Sequence, residues 1–511
     1  MNKQSFLKGA LLLVLANVFV KFGGFLYQIL IIRLISPEGI GIFNLIFPLY
    51  ISVLVFTTAG LPPAVSKFVA AEIAAGNKNE AVKIFRTAFS ILFFAALLIT
   101  LLVIFFAYPL TKFLYTDPRV LPAFLFLLPT LPVVSIAAII KGFFQGLQNM
   151  RPTAFSQLLE QFIRISSGLC LLYFLRPHGL TWTAVGLSVA VFLSEVGGLI
   201  YLITIYKSRI STRVFEKPTK AMVKRLFSFG IPITITRLIA SLVNAWETSL
   251  IPKQLKKAGH TLSAATSFYG ELSGVAFTLL GIPSTLTFSL ATTLIPAISE
   301  AESKHEKQLL RQRASEAIGI TIIAGLPCGL ILFYWGPLIT ETLFNVTQAG
   351  KLLKILALGS IFLYLQQTTN GILQGLGLVN IIILTTLISG TLKLGGIYLG
   401  GAHPLKGPSC IAFSYVISYC LTAALNLGII NYKINLKLQR GFFPRLLTAG
   451  LILRLGLIHC YFLAKQSLLY LVFLTPTFVF LFLLLLFLTG DNYSQLLFQH
   501  LFRQIKGNLG S

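Results

Sequence analysis

Fourteen runs of roughly twenty mainly apolar residues recur along the chain, centred near positions 20, 51, 98, 131, 163, 194, 238, 283, 326, 363, 388, 419, 454 and 478. Runs of that length leave few folds open. A helix rising 1.5 Å per residue crosses a ~30 Å hydrocarbon core in about twenty residues. Lipid offers no hydrogen-bond partner to the backbone, so only helices and closed barrels span it. A barrel would read as short alternating segments, whereas these runs are long and continuous. The expected fold is an all-α polytopic membrane protein of about 14 transmembrane helices. With 56% hydrophobic and only 11% charged residues, the composition fits this class, since soluble domains carry about 25% charged residues. Lys3 and Lys8 precede an apolar run that is longer than a signal h-region and lacks a small-residue cleavage site, which predicts a retained first helix.

Charge placement predicts orientation. With both termini cytoplasmic, 25 of the 41 Lys and Arg fall in inner segments, 11 in outer segments and 5 within the membrane. The formal net charge of +26 sits in short loops beside apolar helices. Topology and anionic headgroups explain it there, and nucleic-acid binding is not expected. The five cysteines are scattered without C-x-x-C spacing and the six histidines form no close ligand pair, so no disulfide framework, metal site or cofactor is expected. The chain has no G-x-x-x-x-G-K-[ST] and no catalytic constellation outside the membrane, which argues against an enzyme.

An internal repeat organises the chain. NGILQGLG at 370–377 restates KGFFQGLQ at 141–148; Gln374 lies 374 − 145 = 229 positions after Gln145. PPAVS at 62–66 and IPAIS at 295–299 match at 296 − 63 = 233 positions. Two matches in the same order predict two six-helix lobes related by a pseudo-two-fold along the membrane normal, plus two extra C-terminal helices. The expected division is an N-lobe (1–206), a basic cytoplasmic linker (207–225), a C-lobe (226–430), helices 13 and 14 (431–489) and a cytoplasmic tail (490–511). The repeated Q-G-L reads as a close turn between the fourth and fifth, and the tenth and eleventh, helices. Prolines and glycines within several helices read equally as packing kinks or as bending points.

Helical spacing gathers polar residues into stripes. Asn17, Lys21, Gly24 and Gln28 share a face of the first helix; Arg237, Ser241, Asn244 and Thr248 have the same spacing in the seventh. Gln157, Glu160, Gln161, Arg164 and Gly168 line the fifth, and Ser389, Lys393 and Gly396 the eleventh, with Lys393 at the repeat of Arg164. A charge at such depth costs a few kcal/mol on insertion, so these groups should face the protein interior or water. The candidate substrate-binding residues are Lys21, Arg237, Arg164, Lys393, Glu160, Gln161, Asn17, Gln28 and Asn244. Glu160 and Arg164 are four apart and also read as a self-neutralising pair. Lys and Arg about a central cavity suit an anionic substrate such as a phosphate or pyrophosphate.

The long stretch KGFFQGLQNMRPTAFSQLLEQFIRI resembles the stage V sporulation protein B-like branch of the multidrug/oligosaccharidyl-lipid/polysaccharide (MOP) exporter superfamily, related to the lipid II flippases. The positions that carry the likeness are Lys141, Gly142, Phe144, Gln145, Gly146, Gln148, Asn149, Met150, Pro152, Glu160, Gln161 and Arg164, with QSFLKGA, SPEGIGIF and GLPPAVSKFVAA nearer the N-terminus. The resemblance implies a flippase for a lipid II-like peptidoglycan precursor in a bacterial inner membrane. It would work by alternating access with a cationic central cavity, on an undecaprenyl-diphosphate-linked saccharide, with membrane lipids and cell-wall synthesis enzymes as further partners. It also implies a lipid-tail groove along the two extra helices. One departure stands out: the flippases are described with several cavity arginines, while the first helix here offers Lys21 and Arg33.

Two other functions compete. A cation-coupled multidrug antiporter would be expected to place an acid early in the chain, and no acid precedes Glu38. A non-transporting scaffold for cell-wall synthesis would not need matched polar stripes in both halves.

Overall fold

The computed structural model describes residues 3–209, 219–436, 439, 441–491 and 493–495. The central part of the basic linker, 210–218, and most of the C-terminal tail lie outside the described residues. Among those described there is no strand, and helices account for nearly all of the chain. Among the described residues thirteen helical segments are long and apolar enough to cross a membrane. The first, Leu15–Ala74, holds two of the expected crossings, because α1 (Lys3–Thr58) breaks at Ser36 (φ 66, ψ 165) just before Pro37. Each of the fourteen expected centres therefore falls in a helix. Large apolar side chains such as Phe105, Tyr173, Leu399 and Phe473 point outward, as lipid-facing surfaces require.

By contact the chain divides into two compact units. The first comprises Met1–Lys256 with His260–Gly270, the second Lys257–Gly259 with Glu271–Ser511. In the first unit, α1 is followed by α2 (Leu61–Ala74), α3 (Lys78–Leu114), α4 (Val120–Leu127), α5 (Thr130–Gly146), α6 (Arg151–Leu175) and α7 (Leu180–Arg209). Its core is built from Leu61, Val65 and Val69 of α2, Phe85 and Leu92 of α3, Phe143 and Phe144 of α5, and Leu202 of α7. Leu226 of α8 (Lys220–Lys257) joins this cluster. Further along α8, the Ser249 hydroxyl donates to the Leu114 carbonyl and Lys253 Nζ to that of Phe113 at 2.9 Å. The short helix α9 (Leu262–Gly270) packs on the α1 break so closely that a Cβ at Gly270 would lie 1.8 Å from the Pro37 carbonyl oxygen.

The second unit contains α10 (Phe277–Ser303), which follows a π-helical turn at Glu271–Ala276, then α11 (Lys307–Phe344), α12 (Gln348–Gly375), α13 (Val379–Gly400) and α14 (Gly407–Ile434). The C-terminal pieces are α15 (Phe442–His459), α16 (Tyr461–Gln466) and α17 (Leu468–Leu488). Trp335 of α11 is fully buried and fastens them: its Nε1 donates to the Leu457 carbonyl at 2.9 Å, and its ring meets Phe478 edge-on at 5.5 Å. Polar side chains along α12 pair within the bundle, where hydrocarbon would leave them unsatisfied. Asn426 Nδ2 donates to Asn370 Oδ1 at 2.9 Å and to the Thr369 hydroxyl at 3.1 Å, and Thr287 donates to Gln367 Oε1 at 2.6 Å.

The repeat is visible inside each unit. Helix α5 ends with the Gln148 N–H on the Gln145 carbonyl and the Asn149 N–H on that of Phe144, with Gln148 left-handed at φ 56. Helix α12 ends with the same two bonds, Gly377 to Gln374 and Leu378 to Leu373, with Gly377 at φ 73. This is a Schellman cap, in which two orphaned carbonyls of the last turn are satisfied. The turns at Gly76 (φ 81) and His305 (φ 55) repeat the pattern, again 229 apart.

The glycines of the motif are contact points. A Cβ at Gly142 would lie 2.6 Å from the Pro62 carbonyl oxygen, and one at Gly371 2.6 Å from that of Ala291. Gly146 and Gly375 approach Ser66 and Ile295 in the same way. Helices in lipid gain close packing through such small residues. These contacts equate Pro62 with Ala291 and Ser66 with Ile295, the 229 spacing once more. The match of PPAVS with IPAIS at 233 is thus one helical turn out of register.

Candidate functional site

The stretch 141–168 runs from the end of α5 through the capped turn into α6, and its charges find partners on neighbouring helices. Glu160 is buried at 8% exposure. Its Oε1 accepts from Lys141 Nζ of α5 at 2.8 Å and from the Ser156 hydroxyl one turn earlier. Gly198 of α7 leaves room for this carboxylate, since a Cβ there would lie 2.3 Å from Oε1. Arg164 turns towards α7: Nη2 donates to Glu195 Oε1 at 2.9 Å and Nε to the Ser194 hydroxyl at 3.2 Å. The sequence allowed Glu160 and Arg164 to neutralise each other; instead each crosses to another helix, so α5, α6 and α7 are joined by two ion pairs.

The second unit handles the repeated position similarly. Lys393 of α13 lies over the Tyr415 ring of α14, with Nζ 4.9 Å from the centroid. In both units a cation on the helix after the turn is held by the next helix, by a carboxylate in one and by an aromatic face in the other.

Helix α1 packs on α6 along part of its polar stripe: a Cβ at Gly24 would lie 3.8 Å from Gln161 Nε2. A Cβ at Gly23 would lie 3.6 Å from Gln161 Cγ, and one at Gly168 would collide with the Tyr27 hydroxyl. Gln161 and Gln28 are half-buried along this seam, whereas Asn17 and Lys21 are exposed. On α8, Arg237 and Asn244 are exposed, and Arg237 forms no ion pair among the described residues. The structure thus brings Gln161 to the α1 stripe and ties Glu160 and Arg164 into the bundle, and it leaves Lys21 and Arg237 at the surface of their unit.

One charged cluster escaped the reading of the sequence. Arg119, in the loop before α4, donates through Nη2 to Glu38 at 2.7 Å and to Asp117 Oδ2 at 2.8 Å, and through Nε to Asp117 Oδ1 at 3.0 Å. Asp117, 1% exposed, also accepts from the Thr266 hydroxyl of α9 at 3.0 Å. The hydrogen bonds to Asp117, and then to Glu38, hold the guanidinium above its ordinary pKa. The cluster stands beside the Ser36 break and joins α1, the α3–α4 loop and α9. Its only sequence signal is D-P-R at 117–119, a turn whose acid can reach its own Arg.

Among the described residues no three His, Cys, Asp or Glu side chains converge as metal ligands.

Comparison with known proteins fits this architecture. Residues 6–302, more than half of the chain, match the family model described as polysaccharide biosynthesis protein, and residues 272–399 match the MatE model. Stage V sporulation protein B of Bacillus subtilis is 31% identical over 446 residues, 86% of each chain. Lipid II flippase MurJ of the same organism is 26% identical over 425 residues, 76% of each. Among solved structures, an inward-facing multidrug resistance MATE family transporter of the MOP superfamily superposes with TM-score 0.66 at 16% identity, covering 81% of this chain and 94% of that one. A MOP superfamily transporter from Pyrococcus furiosus gives TM-score 0.59 at 16% identity, covering 85% and 96%. The protein is therefore a multi-pass membrane exporter of the flippase kind and not an enzyme. The chain belongs to the polysaccharide biosynthesis protein family, within the stage V sporulation protein B-like branch of the MOP exporter superfamily.

Proposed function

We propose that this protein moves an undecaprenyl-diphosphate-linked saccharide, a lipid II-like peptidoglycan precursor, between the leaflets of the bacterial inner membrane by alternating access. The observation that carries this reading is the exposure of Lys21 and Arg237 on the polar stripes of α1 and α8. A cation costs a few kcal/mol at such depth, and an anionic headgroup is the ligand that repays it. Arg presents a planar fork to two phosphate oxygens and Lys a point charge. Asn17, Gln28, Gln161 and Asn244 supply neutral hydrogen bonds for sugar hydroxyls, and Lys393, in the second unit at the repeat of Arg164, is a further substrate-binding cation. Glu160 and Arg164 serve this site by fixing α6 between α5 and α7. The kinship with stage V sporulation protein B and with a lipid II flippase supports the substrate class and a role in cell-wall synthesis at sporulation. Both termini are assigned to the cytoplasm by the Lys and Arg bias. A cation-exporting antiporter fits less well, because exposed Lys and Arg would repel its substrate.

The test is lipid II exposure at the outer leaflet in cells depleted of their own flippase and supplied with this protein. The unaltered chain should restore exposure, and Lys21→Ala and Arg237→Ala should each reduce it at least tenfold at equal protein level. Failure of the unaltered chain would exclude lipid II as substrate. Full activity in both variants would exclude the cationic site.

A further inference from the structure

The second unit has a cavity of about 300 Å³ where four helix ends meet: the end of α10, the start of α11, the capped turn after α12 and the end of α14. Its polar lining is Glu302, Lys307, Arg311, Lys433 and Asn435, over a floor that includes Leu376. Three cations face one carboxylate in a space that fits a phosphate with a small organic group attached. Arg311 is set for recognition: its Nε donates to the Ile434 carbonyl at 3.0 Å, while its Nη groups have no protein partner among the described residues. The first turn of α11, which has no side-chain cap, begins at Lys307, and the positive end of its helix dipole adds to the potential there.

The repeat supplies an internal control. At the 229 spacing Glu302 corresponds to Ile73 and Arg311 to Val82. In the first unit Val82 is buried in the hydrophobic cluster and Ile73 packs against it. The fold closes this position with apolar contacts in one unit, so the charged cavity of the other is not a requirement of the architecture.

We propose that this cavity binds a phosphate group, carried either by an anionic lipid headgroup or by a soluble phosphate compound, at a site separate from Lys21 and Arg237. The full-length protein in phosphatidylcholine nanodiscs is titrated with inorganic phosphate, and in a second arm phosphatidylglycerol is added to the discs and retained lipid is counted by native mass spectrometry. Saturable phosphate binding identifies the soluble source; selective retention of phosphatidylglycerol without it identifies the headgroup. In either arm Arg311→Gln and Lys433→Gln should each weaken binding about fivefold, the effect of roughly one cation near an anionic surface. Lys433 is exposed, so its variant retains the fold even where Arg311→Gln disturbs the bond to Ile434. Lys304→Gln, which removes a nearby exposed cation paired with Glu300 outside the cavity, should change nothing. Absence of saturable binding in both arms, or equal loss in all three variants, would overturn the proposal.

Discussion

Replacing Lys141 by Met tests how α6 is held on α5. The ammonium lies 2.8 Å from Glu160 Oε1, and the side chains are 19% and 10% exposed. Two unit charges at about 4 Å are worth roughly 4 kcal/mol at an effective dielectric of 20, and removing one partner of a buried pair costs about 3–5 kcal/mol, because the other charge is left desolvated. Partial exposure puts Lys141→Met near the lower end, about 3 kcal/mol, with the Ser156 hydroxyl as the remaining donor to the carboxylate. Glu160→Leu alone strands the ammonium at similar cost. The double variant strands neither charge and should fall within about 1 kcal/mol of the parent. A double-mutant cycle in mixed detergent micelles, followed by fluorescence of the three tryptophans, should give a coupling energy of at least about 2 kcal/mol. Additive single effects would refute the assignment of this pair to holding α5 on α6.

Three further outcomes follow from the packing. Gln148→Gly should raise stability by about 0.5–1 kcal/mol, because the left-handed cap at φ 56 suits glycine; a rise in melting temperature checks it. Gly142→Val should cost more than about 2 kcal/mol by forcing α5 off the Pro62 carbonyl, seen as loss of the monodisperse peak on size exclusion. Trp335→Ala should cost about 3–5 kcal/mol and free α15 and α17 from α11, seen as new protease cleavage between α14 and α15.

The sequence makes the helices legible because length and apolarity alone decide what can cross lipid. It makes the 229 repeat legible at Q-G-L because a capped turn and two glycine contacts restrict the residue types there. The PPAVS match slipped by four positions for the opposite reason: a shift of one turn keeps an apolar helix on the same face, so composition cannot detect it. The partners of Lys141 and Arg164 were hidden because spacing rules compare residues on one helix, and Glu160 and Glu195 reach them from others. The pair of Arg119 with Glu38 is hidden for the same reason, since Glu38 reaches the loop from α1.

The four capped turns at Gly76, Gln148, His305 and Gly377 distribute glycine unevenly: each unit ends one helix on glycine and one on a residue that resists the left-handed conformation. A side chain there costs about 1 kcal/mol, so the helix ends at Gln148 and His305 open about fivefold more often than their repeats. Amide exchange should therefore be faster at 145–149 than at 374–378, and faster at 302–306 than at 73–77. The His305 turn borders the cationic cavity through Glu302 and Lys307. A phosphate held there would slow exchange at that turn and leave the Gln148 turn as it was.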